Sequence, residues 1–332
     1  MSPLSTYPRG WFVAAFSSEI PPRGVKPLRF FGEKLVAFRG EDGVVHILDG
    51  YCAHMGADLG AGGVVVGDTI KCPFHAWRYC GTGECVDVPY AKKIPIKARQ
   101  RSWTVREING VVLVWNDERG AQPDFEIPPI PEFGRSDWTA WNTSHYAIRT
   151  HPREIVENLA DRAHFPSVHR TDIDEFEFTV AGHTATQRVK GRAQLPGGGV
   201  DAFASSTTYH GPGYLLMRMS GLMQNYMLVA HTPVDAGSLE LRLGVMLKNV
   251  AGGAEMEKIT SIYMTNLKAG FEDDIRIWEN KLYRDVPVLC DGDGPITQLR
   301  RWYRQFYVAP ESSPAVHADR PAASHETARA EE

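Results

Sequence analysis

Cys52-Ala53-His54 and Cys72-Pro73-Phe74-His75, separated by seventeen residues, decide how the first part of this chain folds and what it can hold. Each pair joins one thiol to one imidazole, and the loops around them are rich in glycine. Thiolates bind soft metals and iron–sulfur clusters, and imidazole suits zinc and iron. Structural zinc sites also use two Cys and two His, but usually as C-x2-4-C with H-x3-5-H, like paired with like. Here both pairs are mixed and one spacing is C-x-H, so zinc is the weaker of the two readings.

A cluster in which two Cys hold one iron and two His hold the other is a Rieske [2Fe–2S] centre. Cys52, His54, Cys72 and His75 supply that donor set, one Cys and one His from each loop. Gly56, Gly60, Gly62, Gly63 and Gly67 are expected to let the backbone approach the cluster and donate N–H groups to its sulfides. Such bonds help to set the potential of the centre.

The chain has 332 residues, of which 43% are hydrophobic, and a net charge of −4. That allows one large or two ordinary domains with real cores and gives no reason to expect nucleic acid as a partner. No apolar run approaches bilayer length, and Met1 to Arg9 lacks a basic stretch followed by an apolar one, so neither a membrane span nor a secretory signal is expected. The expected location is the cytoplasm. Of five cysteines, Cys80, Cys85 and Cys290 lie outside the motif. The odd number argues against a disulfide framework, and a reducing compartment would keep these three as structural thiols.

Residues 1–120 read as a β domain. Trp11 to Phe16, Leu35 to Phe38, Val44 to Leu48, Val64 to Val66, Thr69 to Lys71, Trp103 to Glu107 and Val111 to Trp115 are strand candidates. Asn109-Gly110 between the last two predicts a type I′ hairpin turn. Short strands with regular turns predict a small antiparallel barrel or sandwich. His46, inside a strand, is expected to be structural. Residues 118–137, with Pro123, Pro128, Pro129 and Pro131, read as a linker. A second domain would occupy 121–310. Residues 311–332, rich in Ala, Glu and Ser, are expected to be a disordered tail.

The second domain opens with a strand candidate, Trp138 to Arg149, followed by a helical pattern over 152–164 that contains Asn158, Asp161 and His164. Asp161 and His164, three apart, are expected to share a helix face. Pro166 is expected to end the helix, turning His169 toward the same point. Two His and a carboxylate with open positions form the facial triad of non-haem Fe(II) oxygenases. Six strand candidates follow between Phe176 and Leu247, predicting a large antiparallel sheet. Met217, Met219, Met223 and Met227 crowd within it, as core packing or as an adaptable lining for an apolar substrate. His183, His210 and His231 lack ligand spacing and are expected to be structural. Residues 255–283 are helical in pattern and carry Glu272-Asp273-Asp274, a possible source of a third ligand or a solvated face.

With both motifs in view, the chain resembles a Rieske non-haem iron oxygenase, and more narrowly the oxygenase component of the 3-ketosteroid 9α-hydroxylase group. The resemblance covers nearly the whole chain. It is carried by the two Cys/His motifs, by Asn158-x2-Asp161-x2-His164-x4-His169, and by segments such as Tyr7 to Trp11, Val88 to Lys92, Gly182 to Gln187, Ile277 to Lys281 and Leu299 to Tyr307. It implies an α+β fold, an N-terminal Rieske [2Fe–2S] antiparallel β domain followed by a helix-flanked antiparallel sheet that holds a mononuclear Fe(II). It implies Cys52, His54, Cys72 and His75 on the cluster and His164, His169 and Asp274 on the iron, with Asp273 the second choice for the third ligand. It implies that Asn158 sits near the iron and that Asp161 bridges an iron-ligand His to a cluster His of a neighbouring subunit in a homotrimer. Residues 165–181 and 195–225 depart from the group.

The activity so implied is that of a terminal monooxygenase: O2 is activated and a C–H bond of an apolar polycyclic substrate, steroid- or terpenoid-like, is hydroxylated. Two alternatives stand beside it, an aromatic-ring oxygenase or O-demethylase and an electron-transfer protein with a Rieske centre alone. No Gly-rich phosphate loop follows a strand, so electrons are expected from a separate NAD(P)H-dependent reductase or ferredoxin. Lys92, Lys93, Lys97, Arg99 and Arg101 form a basic stretch that could dock an acidic one.

Overall fold

In a computed structural model, describing residues 6–194, 199–221 and 223–307, β1 (Gly10–Phe16) is buried along its whole length. Side chains alternate across a strand, and β1 uses both faces. Trp11, Val13 and Phe16 enter one core, and Phe12, Ala14 and Ala15 another. A register shift between Val13 and Ala15 returns Phe16 to the first face, the usual effect of a bulge. Its antiparallel partner is the strand Val111–Asn116, which splits in the same way, Val111, Leu113 and Trp115 against Val112 and Val114.

The rest of the first half is antiparallel. β2 (Val25–Phe30), β3 (Glu33–Arg39) and β4 (Val45–Asp49) form one sheet with the two residues Ser102–Trp103, and β5 (Val64–Val66), β6 (Thr69–Lys71), β7 (Arg78–Cys80) and β8 (Cys85–Asp87) form another. β9 (Ser102–Trp103) precedes the hairpin of β10 (Val105–Ile108) and β11 (Val111–Asn116). At its tip Asn109 and Gly110 have φ of 54° and 73°, as a type I′ turn requires. His46 lies with its ring 5.3 Å from that of Phe38, a packing role.

Residues 117–141 form no strand or helix beyond an isolated bridge at Trp138, yet they are anchored. Trp11 Nε1 donates to Phe125 O at 2.8 Å, Asn109 Nδ2 to Pro128 O at 2.9 Å, and Ile130 N to Asn109 Oδ1 at 2.8 Å. Phe125, Ile127 and Ile130 are buried. The prolines deny this segment ladder donors, while its apolar residues tie it to the core.

The second half is one seven-stranded antiparallel sheet. β12 (Asn142–Ile148) pairs with β18 (Ser238–Leu247), followed across the sheet by β17 (Asn225–Asp235), β16 (Tyr214–Ser220), β15 (Val200–His210), β14 (Thr184–Gln194) and β13 (Thr171–Ala181). All six strands expected between Phe176 and Leu247 are present. Between β12 and β13 lie two short helices, α1 (Pro152–Glu157) and α2 (His164–His169); after the sheet come α3 (Gly253–Asn280) and α4 (Ile296–Tyr303). The expected α+β architecture is therefore present. The two halves are not separate cores, because β1 and β11 share one with Tyr209, Leu241, Leu243, Trp278 and Trp302. Residues 311–332 lie outside the described residues.

The helix end expected at Pro166 is not there. Pro166 does not end a helix; it sits in the first turn of α2, where its missing N–H would have had no intrahelical partner. The break falls earlier, at Asn158 to Ala163, and Asp161 therefore precedes α2 instead of sharing a helix face with His164.

Gly294 holds that break in place. Its φ is +97°, and a Cβ there would lie 2.2 Å from Ala160 O and 3.2 Å from Arg162 N, while Arg162 N donates to Asp293 O at 3.0 Å. Gly294→Ala is expected to cost about 2–3 kcal/mol, since backbone strain and overpacking add. The measurement is the urea midpoint; an unchanged midpoint would contradict this reading of the contact.

Candidate metal centres

The two Cys/His loops have the same backbone closure. Cys52 N–H donates to Ala57 O and Gly56 N–H to Cys52 O; Cys72 N–H donates to Trp77 O and Ala76 N–H to Cys72 O. Each loop turns on a left-handed residue four positions after its Cys, Gly56 at φ 75° and Ala76 at φ 60°. Both Cys are buried and both His half-buried. The imidazoles of His54 and His75 stand 4.7 Å apart, and His54 stacks on Trp77 at 4.3 Å. Trp77 Nε1 in turn donates to the Tyr90 hydroxyl at 2.8 Å.

The donor set fits an iron–sulfur cluster. His54 Nδ1 is buried with no partner among the described residues, a cost that a metal bond would remove. Burial pushes the Cys52 thiol up, so the thiolate needs a cation beside it. The four donors do not meet as a single-ion site: among the described residues only His164, His169 and Asp274 do. Loops that each mix one Cys with one His disfavour zinc.

The glycines play a smaller part than expected. Gly67 lies in the β5–β6 hairpin, away from the Cys/His loops, and the N–H groups of Gly56, Gly60 and Gly63 go to Cys52 O, Asp58 Oδ1 and Leu59 O. One residue was missed. The Tyr79 hydroxyl lies 3.2 Å from Cys52 Sγ, and burial raises its pKa far above the usual tyrosine value. It is thus a neutral O–H beside the Cys52 sulfur, and a bond of that kind would tune a cluster held there. Only its position, the buried centre of the three-residue β7, could have signalled it.

The second centre is built from three elements. α2 carries His164 at its first position and His169 at its last, with ring centroids 5.1 Å apart. α3 brings Asp274, whose Oδ2 is 3.3 Å from His169 Nε2. One ligand atom from each of the three lies within 4.8 Å of the others. Asn158, at the end of α1, donates from Nδ2 to Asp274 Oδ1 at 3.2 Å and accepts at Oδ1 from Trp278 Nε1 at 3.2 Å. Asp274 and Trp278 are one helical turn apart, so both reach the same amide. Asp273 is not brought to the histidines; it is half exposed and paired with Arg276 at 3.5 Å.

Asp161 accepts the His164 N–H on Oδ1 at 3.2 Å, while His164 Nδ1 lies 2.8 Å from the Asp161 carbonyl oxygen. Nδ1 as donor to that carbonyl leaves Nε2 with its lone pair free, the tautomer a metal ligand needs. Burial alone would raise the Asp161 pKa, but its hydrogen bonds with His164 and with the backbone N–H groups of Ala163 and His164 outweigh burial and lower it. The Asp161 side chain remains 36% exposed.

A cavity of about 550 Å³ opens on this triad, between α3 and the sheet, in the range typical of small-molecule sites. Phe203, Leu215, Met217, Met219, Met227 and Phe271 are among its walls, with Asn158, Asp274 and both histidines at one end. Three of the four crowded methionines thus line the cavity; Met223 packs beside it with Tyr263. His183 stacks on Phe125, and fully buried His231 contacts the Tyr209 hydroxyl through Nε2 at 3.0 Å, away from either centre.

Residues 10–104 match the family model described as Rieske [2Fe-2S] domain, and residues 114–307 match that described as 3-Ketosteroid 9alpha-hydroxylase C-terminal domain. The chain is 38% identical over 326 residues to the probable 3-ketosteroid-9-alpha-monooxygenase, oxygenase component, of Rhodococcus rhodochrous, spanning 92% of this chain and 82% of that one. It is 37% identical over 321 residues to the 3-ketosteroid-9-alpha-monooxygenase, oxygenase component, of Mycobacterium tuberculosis (strain ATCC 25618 / H37Rv), with 91% and 82% covered. Among solved structures, dicamba monooxygenase bound to dicamba superposes with a TM-score of 0.75 at 20% identity, over 90% of this chain and 96% of that one. This last likeness is one of fold.

The geometry separates the two neighbouring acids. Asp274→Ala is expected to lose about one iron per chain and keep the visible absorption of the cluster, whereas Asp273→Ala keeps both. Iron analysis beside the absorption spectrum checks this; equal iron in the two variants would contradict it.

Proposed function

The chain belongs to the Rieske oxygenases of the 3-ketosteroid 9α-hydroxylase group, and from that premise we propose that it is a terminal monooxygenase hydroxylating a C–H bond of a steroid-like ketone. The observation that carries the substrate class is the cavity of about 550 Å³, walled by methionine, leucine and phenylalanine, that ends on His164, His169 and Asp274. Fe(II) held by those three residues would supply O2 activation, and a cluster held by Cys52, His54, Cys72 and His75 would supply electrons one at a time.

The chain's own residues do the rest. Asn158 and Trp278 fix the Asp274 carboxylate by hydrogen bonds. Asp161 fixes the orientation and tautomer of His164. The apolar walls exclude water from the reacting carbon and adapt to a rigid ring system, methionine being the most pliable of them.

The two donor sets lie in different cores, Cys52 and Cys72 in one and the walls around Asp274 in another. A homotrimer would bring the cluster of one subunit to the iron of the next. Two features support that assembly. Tyr51, Met55, Phe74 and Tyr90 are apolar side chains more than half exposed around the cluster loops, and Asp161 is partly exposed beside His164. Lys92, Lys93 and Lys97 are exposed nearby and would dock an acidic NAD(P)H-dependent reductase or ferredoxin. All five cysteines are unpaired, in keeping with a reducing cytoplasm. No helix of the described residues is long and apolar enough to cross a membrane.

The test is a single turnover of reduced, iron-loaded protein with a 3-ketosteroid under 18O2. The expected product is a mono-hydroxylated steroid carrying one labelled oxygen. Asp161→Asn, run alongside, is expected to keep the wild-type metal content and lose the product. No labelled product from the wild type would contradict the assignment, and full product from Asp161→Asn would contradict the role of Asp161.

A further inference from the structure

The two histidines of the triad are held unequally. His164 Nδ1 lies 2.8 Å from the Asp161 carbonyl oxygen. His169 meets Asp274 through Nε2 at 3.3 Å, which puts that nitrogen on the metal side and leaves Nδ1 to carry the hydrogen. A metal-ligating histidine is oriented by a partner on its other nitrogen: a carboxylate, a carbonyl or a water. Among the described residues none bonds His169 Nδ1.

That nitrogen faces α3 at Gly270. A Cβ on Gly270 would lie 3.9 Å from His169 Nδ1, and beyond the adjoining chain no other atom of the described residues comes within 4 Å of it. Glycine inside a helix lowers its stability relative to alanine, and Gly270 sits well inside the 28 residues of α3. A methyl group would fit, so packing does not account for the glycine. Its position accounts for more. Gly270, His169 and Asn266 line the cavity on one side and a surface cleft between α2 and α3 on the other. The missing side chain leaves a notch in front of the Nδ1–H.

Asn266 lies one turn before Gly270 on the same helix face, where Cβ positions are about 5–6 Å apart. One amide and one water together span that separation. Asn266 is exposed, and its amide bonds no other described residue. The other polar groups of the cleft are engaged or unsuited. Asp273 pairs with Arg276 at 3.5 Å, and Ser167 Oγ donates to Ala163 O at 3.4 Å. Arg170 has no side-chain acceptor.

We propose that Gly270 is a positioning residue for the iron ligand His169: its notch holds a water that accepts the Nδ1–H and bridges it to the Asn266 side chain. This rests on the iron reading of the triad and not on the steroid reading. A structural water needs room and at least two polar partners; Gly270 gives the room, and His169 and Asn266 are the partners. The bridge fixes the ring with Nε2 toward the metal, as the Asp161 carbonyl does for His164.

The experiment is anaerobic equilibrium dialysis against graded Fe(II), on cluster-loaded protein stripped of mononuclear iron by a chelator, with iron counted above that of the cluster. Gly270→Ala puts a methyl group in the notch and is expected to weaken Fe(II) binding roughly tenfold or more, the usual loss when such a partner is removed. Gly270→Ser is expected to bind within about threefold of wild type. Its Oγ, one bond beyond a Cβ that is 3.9 Å from Nδ1, comes within hydrogen-bonding distance and replaces the water. Asn266→Ala is expected to weaken Fe(II) binding in wild type and not in Gly270→Ser. A purely steric role would make serine no better than alanine. Wild-type affinity in Gly270→Ala, or equal loss in alanine and serine, would overturn the assignment alone. So would a lower urea midpoint of stripped Gly270→Ala, since packing would then require the glycine. Failure of wild type to bind Fe(II) would overturn it together with the iron centre.

Discussion

Asp274 is a carboxylate with 8% exposure, set between a long helix and a sheet. A buried carboxylate is stable only where hydrogen bonds or opposite charge meet it. Here Asn158 meets one oxygen and His169 the other. Three elements converge on this group. α1 must end at Asn158, α2 must begin at His164 and end at His169, and α3 must lie so that Asp274 and Trp278 point down one face. Gly294 permits the close backbone contact that lets the chain break between α1 and α2. The sheet contributes the walls that make the same spot a cavity.

The two donor sets are assembled in contrasting ways. The Cys/His loops are a local device: two turns with one hydrogen-bonding pattern, each closed by a left-handed residue, project their ligands to a surface. The His/His/Asp set is a tertiary device, since its third member lies more than a hundred residues from the other two. The first depends on β-hairpins, and the second on the packing of α3 over the sheet. β1 and β11 tie the devices together by burying a different face in each half of the molecule.

That difference explains what could be read from the residues alone. The Cys/His loops, the Asn109-Gly110 turn and the six strands from Phe176 to Leu247 were legible because each is determined by neighbours in sequence. His164 and His169 were legible by spacing. The choice between Asp273 and Asp274 was not, since consecutive acids on a helix differ only in what packs against them. The break before α2 was misplaced because proline was read as a terminator, whereas the first turn of a helix accepts it. The anchoring of residues 117–141 and the contact of Tyr79 with Cys52 depend on partners far away in the chain.

One chain is proposed to carry both an iron–sulfur cluster and a separate mononuclear iron. Iron, zinc and acid-labile sulfide per chain, measured on anaerobically purified protein with EPR of the dithionite-reduced state, test it most directly. The account predicts about three irons and about two sulfides, with a Rieske-type signal. Zinc without sulfide would contradict it.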